Sequence, residues 1–127
     1  MIELKTGTRI WIAAGFTDLR RGFQGLTSLV ETVLEQAPFS GHVFVFRGRR
    51  GDLIKLLWFD GDGLCLFQKR LSMGRFRWWP ETEGGPARRL EAWQAQLLLA
   101  AGDMSQARAA PIWRPVGGQR PESGSAT

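Results

Sequence analysis

The sequence predicts an α+β fold, a single domain in which an antiparallel sheet of four to five strands is packed on one face by two helices. Three observations carry that expectation. Apolar residues alternate over short runs, two stretches repeat them at spacings of three and four, and Gly-, Pro- and Asp-rich connections separate the runs. At 127 residues there is room for one domain, and 43% hydrophobic residues supply a modest core.

The first strand is expected over Thr8–Ala13, where Ile10 and Ile12 alternate with Arg9 and Trp11. Ala14-Gly15-Phe16-Thr17-Asp18 breaks the pattern. A helix follows over Phe23–Gln36, with Leu26, Leu29, Val30, Val33 and Leu34 on one stripe and Glu31 and Glu35 opposite. Pro38 closes it, since the residue before a proline is pushed out of helical backbone.

Three strands come next, His42–Arg47, Leu53–Phe59 and Leu64–Arg70, joined by Gly48-Arg49-Arg50-Gly51-Asp52 and Asp60-Gly61-Asp62-Gly63. Pairing Arg47 with Leu53 gathers Phe44, Phe46, Ile54, Leu56 and Trp58 on a dry face. Cys65 and Phe67 join them if Phe59 pairs with Leu64. The other face then carries Arg47, Lys55, Gln68 and Arg70 among Val43, Val45 and Leu57, a wet and cationic side. A further strand is expected over Arg75–Trp79, with Phe76 and Trp78 on one side and Arg75 and Arg77 on the other.

Pro80–Pro86 is a loop. The second helix is expected over Ala87–Ala101, with Leu90, Trp93, Leu97 and Ala101 on its stripe, Leu98 beside it, and Gly102 as its stop. The folded domain therefore spans 1–104, and the Gly-, Pro- and Ser-rich residues 105–127 are expected to form a disordered tail.

The charge balance is +5, and fourteen of the seventeen cations are arginine. From Gly41 to Trp79 eight cations face three acids, so this stretch alone carries the whole excess. A localised basic region suits phosphate, because each neutralised phosphate releases counterions. The longest candidate for a membrane span, Ala95–Ala101, falls well short of the ~18–20 residues required. No export signal precedes the first strand, and a lone Cys65 suits a reducing interior, so a cytoplasmic protein without membrane contact is expected.

Catalytic chemistry finds little support. His42 is the one histidine and lies on the expected core face, while Cys65 sits between Leu64 and Leu66 as a small core hydrophobe. One Cys and one His cannot build a zinc site. Asp60 and Asp62 resemble the start of a calcium loop, but Leu64 and Leu71 hold its fifth and twelfth positions, so tight-turn chemistry explains them better. No catalytic residue, metal or cofactor is expected.

Binding chemistry is better represented. In Gly48-Arg49-Arg50-Gly51 the glycines let backbone amides approach a phosphate and the arginines add forked donors. A solvated hairpin tip is the competing explanation. Most of the rings that interleave with Lys69, Arg70, Arg75 and Arg77 are needed for the core. Alternation leaves Trp79 on the arginine side, where it can stack on an unpaired base. Arg20 and Arg21 form a second basic spot, where Asp18 is expected to cap the turn and pair with an arginine.

Thr17-Asp18-Leu19-Arg20-Arg21-Gly22-Phe23-Gln24-Gly25-Leu26 forms one characteristic block. A second runs from Gly41-His42-Val43-Phe44-Val45-Phe46-Arg47-Gly48-Arg49-Arg50-Gly51-Asp52 through Ile54-Lys55-Leu56-Leu57-Trp58. A third joins Asp60-Gly61-Asp62-Gly63-Leu64-Cys65-Leu66-Phe67, Lys69-Arg70-Leu71 and Gly74-Arg75-Phe76. In this order they resemble the TnpB-type accessory proteins encoded by the second reading frame of insertion sequences of family sixty-six, which differ from the RNA-guided nucleases sharing that name. The resemblance covers about residues 8–101. Arg75-Phe76-Arg77-Trp78-Trp79-Pro80 departs from it, with an extra cation and ring where the family often has Val-Trp-Pro.

The resemblance implies a non-catalytic protein required for transposition beside the transposase TnpC and a further accessory protein. It supplies neither catalytic residues nor a ligand. DNA as a partner is read instead from charge and alternation, with Arg47, Arg49, Arg50, Lys55, Arg70, Arg75 and Arg77 expected to engage its backbone and Trp79, Arg20 and Arg21 as further expected DNA contacts. Two alternatives stand beside it. One is an interaction module bridging transposase subunits without DNA, and the other is a nuclease or a nucleic-acid-binding regulator. Oligomeric state is not readable from the sequence.

Overall fold

The computed structural model describes Leu4 and residues 6–102, so the expected tail over 105–127 lies outside the described residues. The elements run β1 (Ile10–Ala13), α1 (Phe23–Thr32), β2 (Val43–Arg47), β3 (Leu53–Phe59), β4 (Leu64–Arg70), β5 (Ala87–Leu90) and α2 (Ala92–Leu99). The five strands form one sheet in the order β4-β3-β2-β1-β5. β2, β3 and β4 make two consecutive antiparallel hairpins, and β5 is antiparallel to β1.

The expected all-antiparallel sheet is corrected at one pair, since β1 and β2 run parallel. The cause is α1. A helix lying on the sheet between two neighbouring strands returns the chain to the end where it began, and the second strand then follows the first in direction.

The expected stacking of both helices on one face is also corrected. Leu26, Val30 and Leu34 of the α1 region pack on Phe44, Phe46 and Leu57. Ala92, Ala95, Leu98 and Leu99 of α2 pack on Ile10, Ile12, Val43, Val45, Ile54 and Leu56, across the sheet from α1. Both faces are therefore dry at the centre, which accounts for a β2 whose first four residues are all buried. The expected wet face arose from the first hairpin's register. Arg47 pairs with Ile54 and Gly48 N–H bonds Leu53 O, one residue beyond the expected pairing of Arg47 with Leu53. A slip of one residue exchanges the two faces of a strand, so Ile54, Leu56 and Trp58 join Val43 and Val45, while Lys55 joins Phe44 and Phe46. The second hairpin closes as expected, with Phe59 opposite Leu64.

Two elements differ in kind. Residues 87–90, expected as the start of the second helix, are the edge strand β5. The helix begins only at Ala92, where Gln94 Oε1 accepts the Glu91 N–H at 2.9 Å, one arm of a capping box. Its buried stripe consists of Ala92, Ala95, Leu98 and Leu99 rather than the expected Leu90, Trp93, Leu97 and Ala101. Residues 75–79 belong to no ladder. Their alternation is real in burial, with Phe76 buried and Arg75 and Arg77 exposed, but the segment crosses the α2 side as irregular chain.

α1 is also shorter than expected. Glu35 adopts φ 56° and the Gln36 N–H reaches back to Val30 O at 2.9 Å, which ends the helical path before Pro38. α2 closes alike, with Ala101 at φ 61° and the Gly102 N–H on Leu97 O.

Candidate nucleic-acid interface

Three segments distant in sequence converge at the end of the sheet where β2 turns into β3. The first is the hairpin tip. Gly51 sits at φ 80°, a backbone suited to glycine, and its N–H bonds Gly48 O at 3.0 Å, which leaves Arg49 and Arg50 exposed at the apex. The second is the loop after β1. Thr17 N–H donates to Arg47 O at 2.7 Å, and a Cβ on Gly48 would stand 3.1 Å from Leu19 Cδ1. The third is the chain beyond β4. Leu71 N–H bonds Asp52 O and Phe76 N–H bonds Gly51 O, both at 2.8 Å, and the Arg75 stem lies over Gly51.

This convergence gathers Arg20, Arg21, Arg49, Arg50, Arg70, Arg75 and Arg77, all exposed, around two acids, Asp18 and Asp52. Arg20 grips Asp18 with Nε at 2.9 Å and Nη2 at 2.8 Å. The Arg20 side chain, and then its backbone N–H, hold the Asp18 carboxyl far below the usual carboxylate range. Asp52 is shared between Arg70 at 3.2 Å and Arg50 at 3.9 Å, and its side chain is 15% exposed against 82% for Arg50 and 55% for Arg70. Among the described residues no carboxylate lies within 4.0 Å of Arg21, Arg49, Arg75 or Arg77.

Three expected contact residues are turned elsewhere. Lys55 is 9% exposed, and its Nζ donates to Leu19 O at 2.9 Å and Arg21 O at 3.3 Å, so it pins the loop after β1 to the sheet. Arg47 is half-buried, its guanidinium carbon 4.1 Å from the Phe16 ring centroid and 4.7 Å from that of Trp79. Its Nε is buried with no hydrogen-bond partner among the described residues, and burial pulls its pKa down. Trp79 is not a free stacking platform. One ring face meets Arg47 and its Nε1–H donates to Ala13 O at 3.0 Å.

The sequence reading missed Phe16 as the second ring on Arg47, because the pairing depends on a contact between Thr17 and Gly48 that no local pattern announces. It also missed a basic spot at the opposite edge. Reading residues 87–90 as helix hid the approach of Arg89 and Arg9 to His42, which is half-buried and accepts the Trp11 Nε1–H at Nδ1, 3.1 Å away. Burial first, then those two arginines, push its pKa down.

The acids of the second turn serve the turn. Asp60 Oδ1 accepts the N–H groups of Asp62 at 3.2 Å and Gly63 at 3.1 Å, and the Cys65 thiol donates to Oδ2 at 3.4 Å. Burial and the Asp60 carboxyl raise the Cys65 pKa, the opposite of what a nucleophile needs. Among the described residues, no three His, Cys, Asp or Glu side chains gather as metal ligands, and no helix is long and apolar enough to cross a membrane.

Beside the basic end, between α1 and the loop after β1, lies a cleft of about 260 Å³. Ala13, Leu29, Val33, Leu34 and Phe46 give it an apolar lining, and Phe16, Asp18 and Arg21 also border it.

The profile of the family described as "IS66 Orf2 like protein" matches residues 8–109. Two uncharacterised proteins of Sinorhizobium fredii are similar over 116 residues, covering 91% of this chain and 97% of theirs. They are y4hO at 45% identity and y4jC at 36%. No solved structure matches.

Proposed function

This chain belongs to the IS66 Orf2-like family of insertion-sequence proteins, and we propose that it serves transposition as a non-catalytic accessory factor that holds DNA by its phosphate backbone. The observation that carries the reading is the gathering, among the described residues, of seven exposed arginines from three chain segments around two acids. Arg49, Arg50, Arg75 and Arg77 are the principal contacts, and Arg20, Arg21 and Arg70 surround them. Each guanidinium offers a forked donor that suits phosphate. Backbone contact is favoured over base reading because α1, FQGLTSLVET, presents no cation to a groove.

Fluorescence anisotropy with duplex and single-stranded DNA at ~50 mM salt tests this, since phosphate contacts are strong there. Arg49→Ala/Arg50→Ala is expected to keep the fold, weaken binding, and reduce the slope of log K against log salt by about two. Absence of affinity for either DNA form overturns the proposal.

The apolar cleft favours a second reading, in which the protein bridges transposase subunits without DNA. A pulldown with the companion transposase separates the two. Retention that survives nuclease treatment speaks for a protein bridge, and retention lost on treatment speaks for shared DNA.

A further inference from the structure

β4 ends the sheet, and among the described residues no strand lies beyond it. Its pairing with β3 is unbroken over seven residues, from Leu53 opposite Arg70 to Phe59 opposite Leu64, with no bulge and no proline. Two bonds bracket that ladder, Asp60 N–H to Gly63 O and Leu71 N–H to Asp52 O. Strict alternation between them turns the backbone groups of Leu64, Leu66, Gln68 and Arg70 outward, away from β3. Leu64, Cys65, Leu66 and Phe67 are each only half-buried, and they point in turn to the two faces of the sheet. The first four residues of this edge are apolar, a stretch that proteins normally blunt with charge, proline or a bulge, and its charges, Lys69 and Arg70, stand only at its far end. The opposite edge shows that protection, since β5 has four residues and exposes Arg88 and Arg89.

The charges flanking this edge are arranged with one sense. Asp60 and Asp62 lie before its first residue, and Lys69 and Arg70 are its last two. A parallel neighbour of the same sequence would set acid beside acid and base beside base. An antiparallel one sets Asp62 opposite Arg70 and Leu64 opposite Gln68, with Leu66 facing its own copy. We propose that two copies of this chain associate through β4, antiparallel about a two-fold axis at Leu66, to form one continuous ten-stranded sheet. Cys65 then lies opposite Phe67 of the other copy, so the apolar layer under α2 runs unbroken across the junction. The contact is isologous, and it buries both exposed edges at once.

Sedimentation velocity of the full chain from ~1 to ~100 μM tests this. The expected result is a concentration-dependent dimer with twice the mass of the chain. Leu66→Pro removes an outward N–H and leaves the β3 ladder its own bonds. It is expected to be monomeric throughout, with an unchanged far-UV circular dichroism spectrum. Asp62→Lys is expected to raise the dimer dissociation constant roughly tenfold at low salt. A wild-type chain that stays monomeric at ~100 μM overturns the proposal. So does a folded Leu66→Pro that still dimerises, or an Asp62→Lys whose association is unchanged.

Discussion

Lys55 shows how a single residue can change roles between sequence and structure. In a strand it reads as a cation for the solvent face, yet its ammonium is spent on the carbonyls of Leu19 and Arg21. Replacing it with methionine keeps the apolar stem and leaves both carbonyls without their donor. Lys55→Met is expected to cost about 1–3 kcal/mol in urea unfolding, and to loosen the loop that carries Arg20 and Arg21. His42 gives a second expectation at this scale. Its folded pKa lies below 6.5 because burial and nearby arginines disfavour the charged ring, so below that pH the unfolded chain binds the extra proton. The stability this contributes is complete above pH 6.5 and is lost as pH falls through the folded pKa. His42→Asn, whose amide oxygen can still accept from Trp11, is expected to flatten that part of a stability profile followed by urea midpoints.

At the level of elements, both helices end through a non-glycine residue in the left-handed region, Glu35 after α1 and Ala101 after α2. Ala101 is half-buried against the core under α2, but its single methyl group adds only a small contact, and glycine adopts the conformation without the steric penalty. Ala101→Gly is expected to stabilise the protein by about 0.5–1 kcal/mol, read as a higher midpoint in thermal unfolding. Legibility also divides by element. The second hairpin was readable because Asp60-Gly61-Asp62-Gly63 allows one tight closure, and its register follows. The first was misread by one residue because its glycines, Gly48 and Gly51, permit closure at either of two positions, and the structure takes the one that places Gly48 opposite Leu53. Ala87-Arg88-Arg89-Leu90 has good helix formers but serves as a strand, because β1 offers an unpaired edge and tertiary pairing outweighs local propensity.

For the whole molecule, the α+β class was legible from periodicity, while the placement of α1 and α2 on opposite faces was not, because amphipathic stripes do not say which side of a sheet they meet. The basic character of the candidate interface was also legible, since the charge excess of residues 41–79 is local. What composition could not supply was the sorting within it. Arg49, Arg50, Arg75 and Arg77 reach solvent, whereas Arg47 is clamped between Phe16 and Trp79 and Lys55 is internal. That sorting depends on the contacts of residues 17 and 76 with the hairpin tip, both of which span more than twenty residues of chain.

β1 lies between β2 and β5, so one flank of the earliest strand is completed by almost the last segment described. A nascent chain emerging at about 5–20 residues per second therefore carries a bare flank on β1 for roughly 4–15 s, until residues 87–90 leave the ribosome. Any product terminated before Ala87 keeps that flank permanently, and with it an adhesive strand that the finished protein hides.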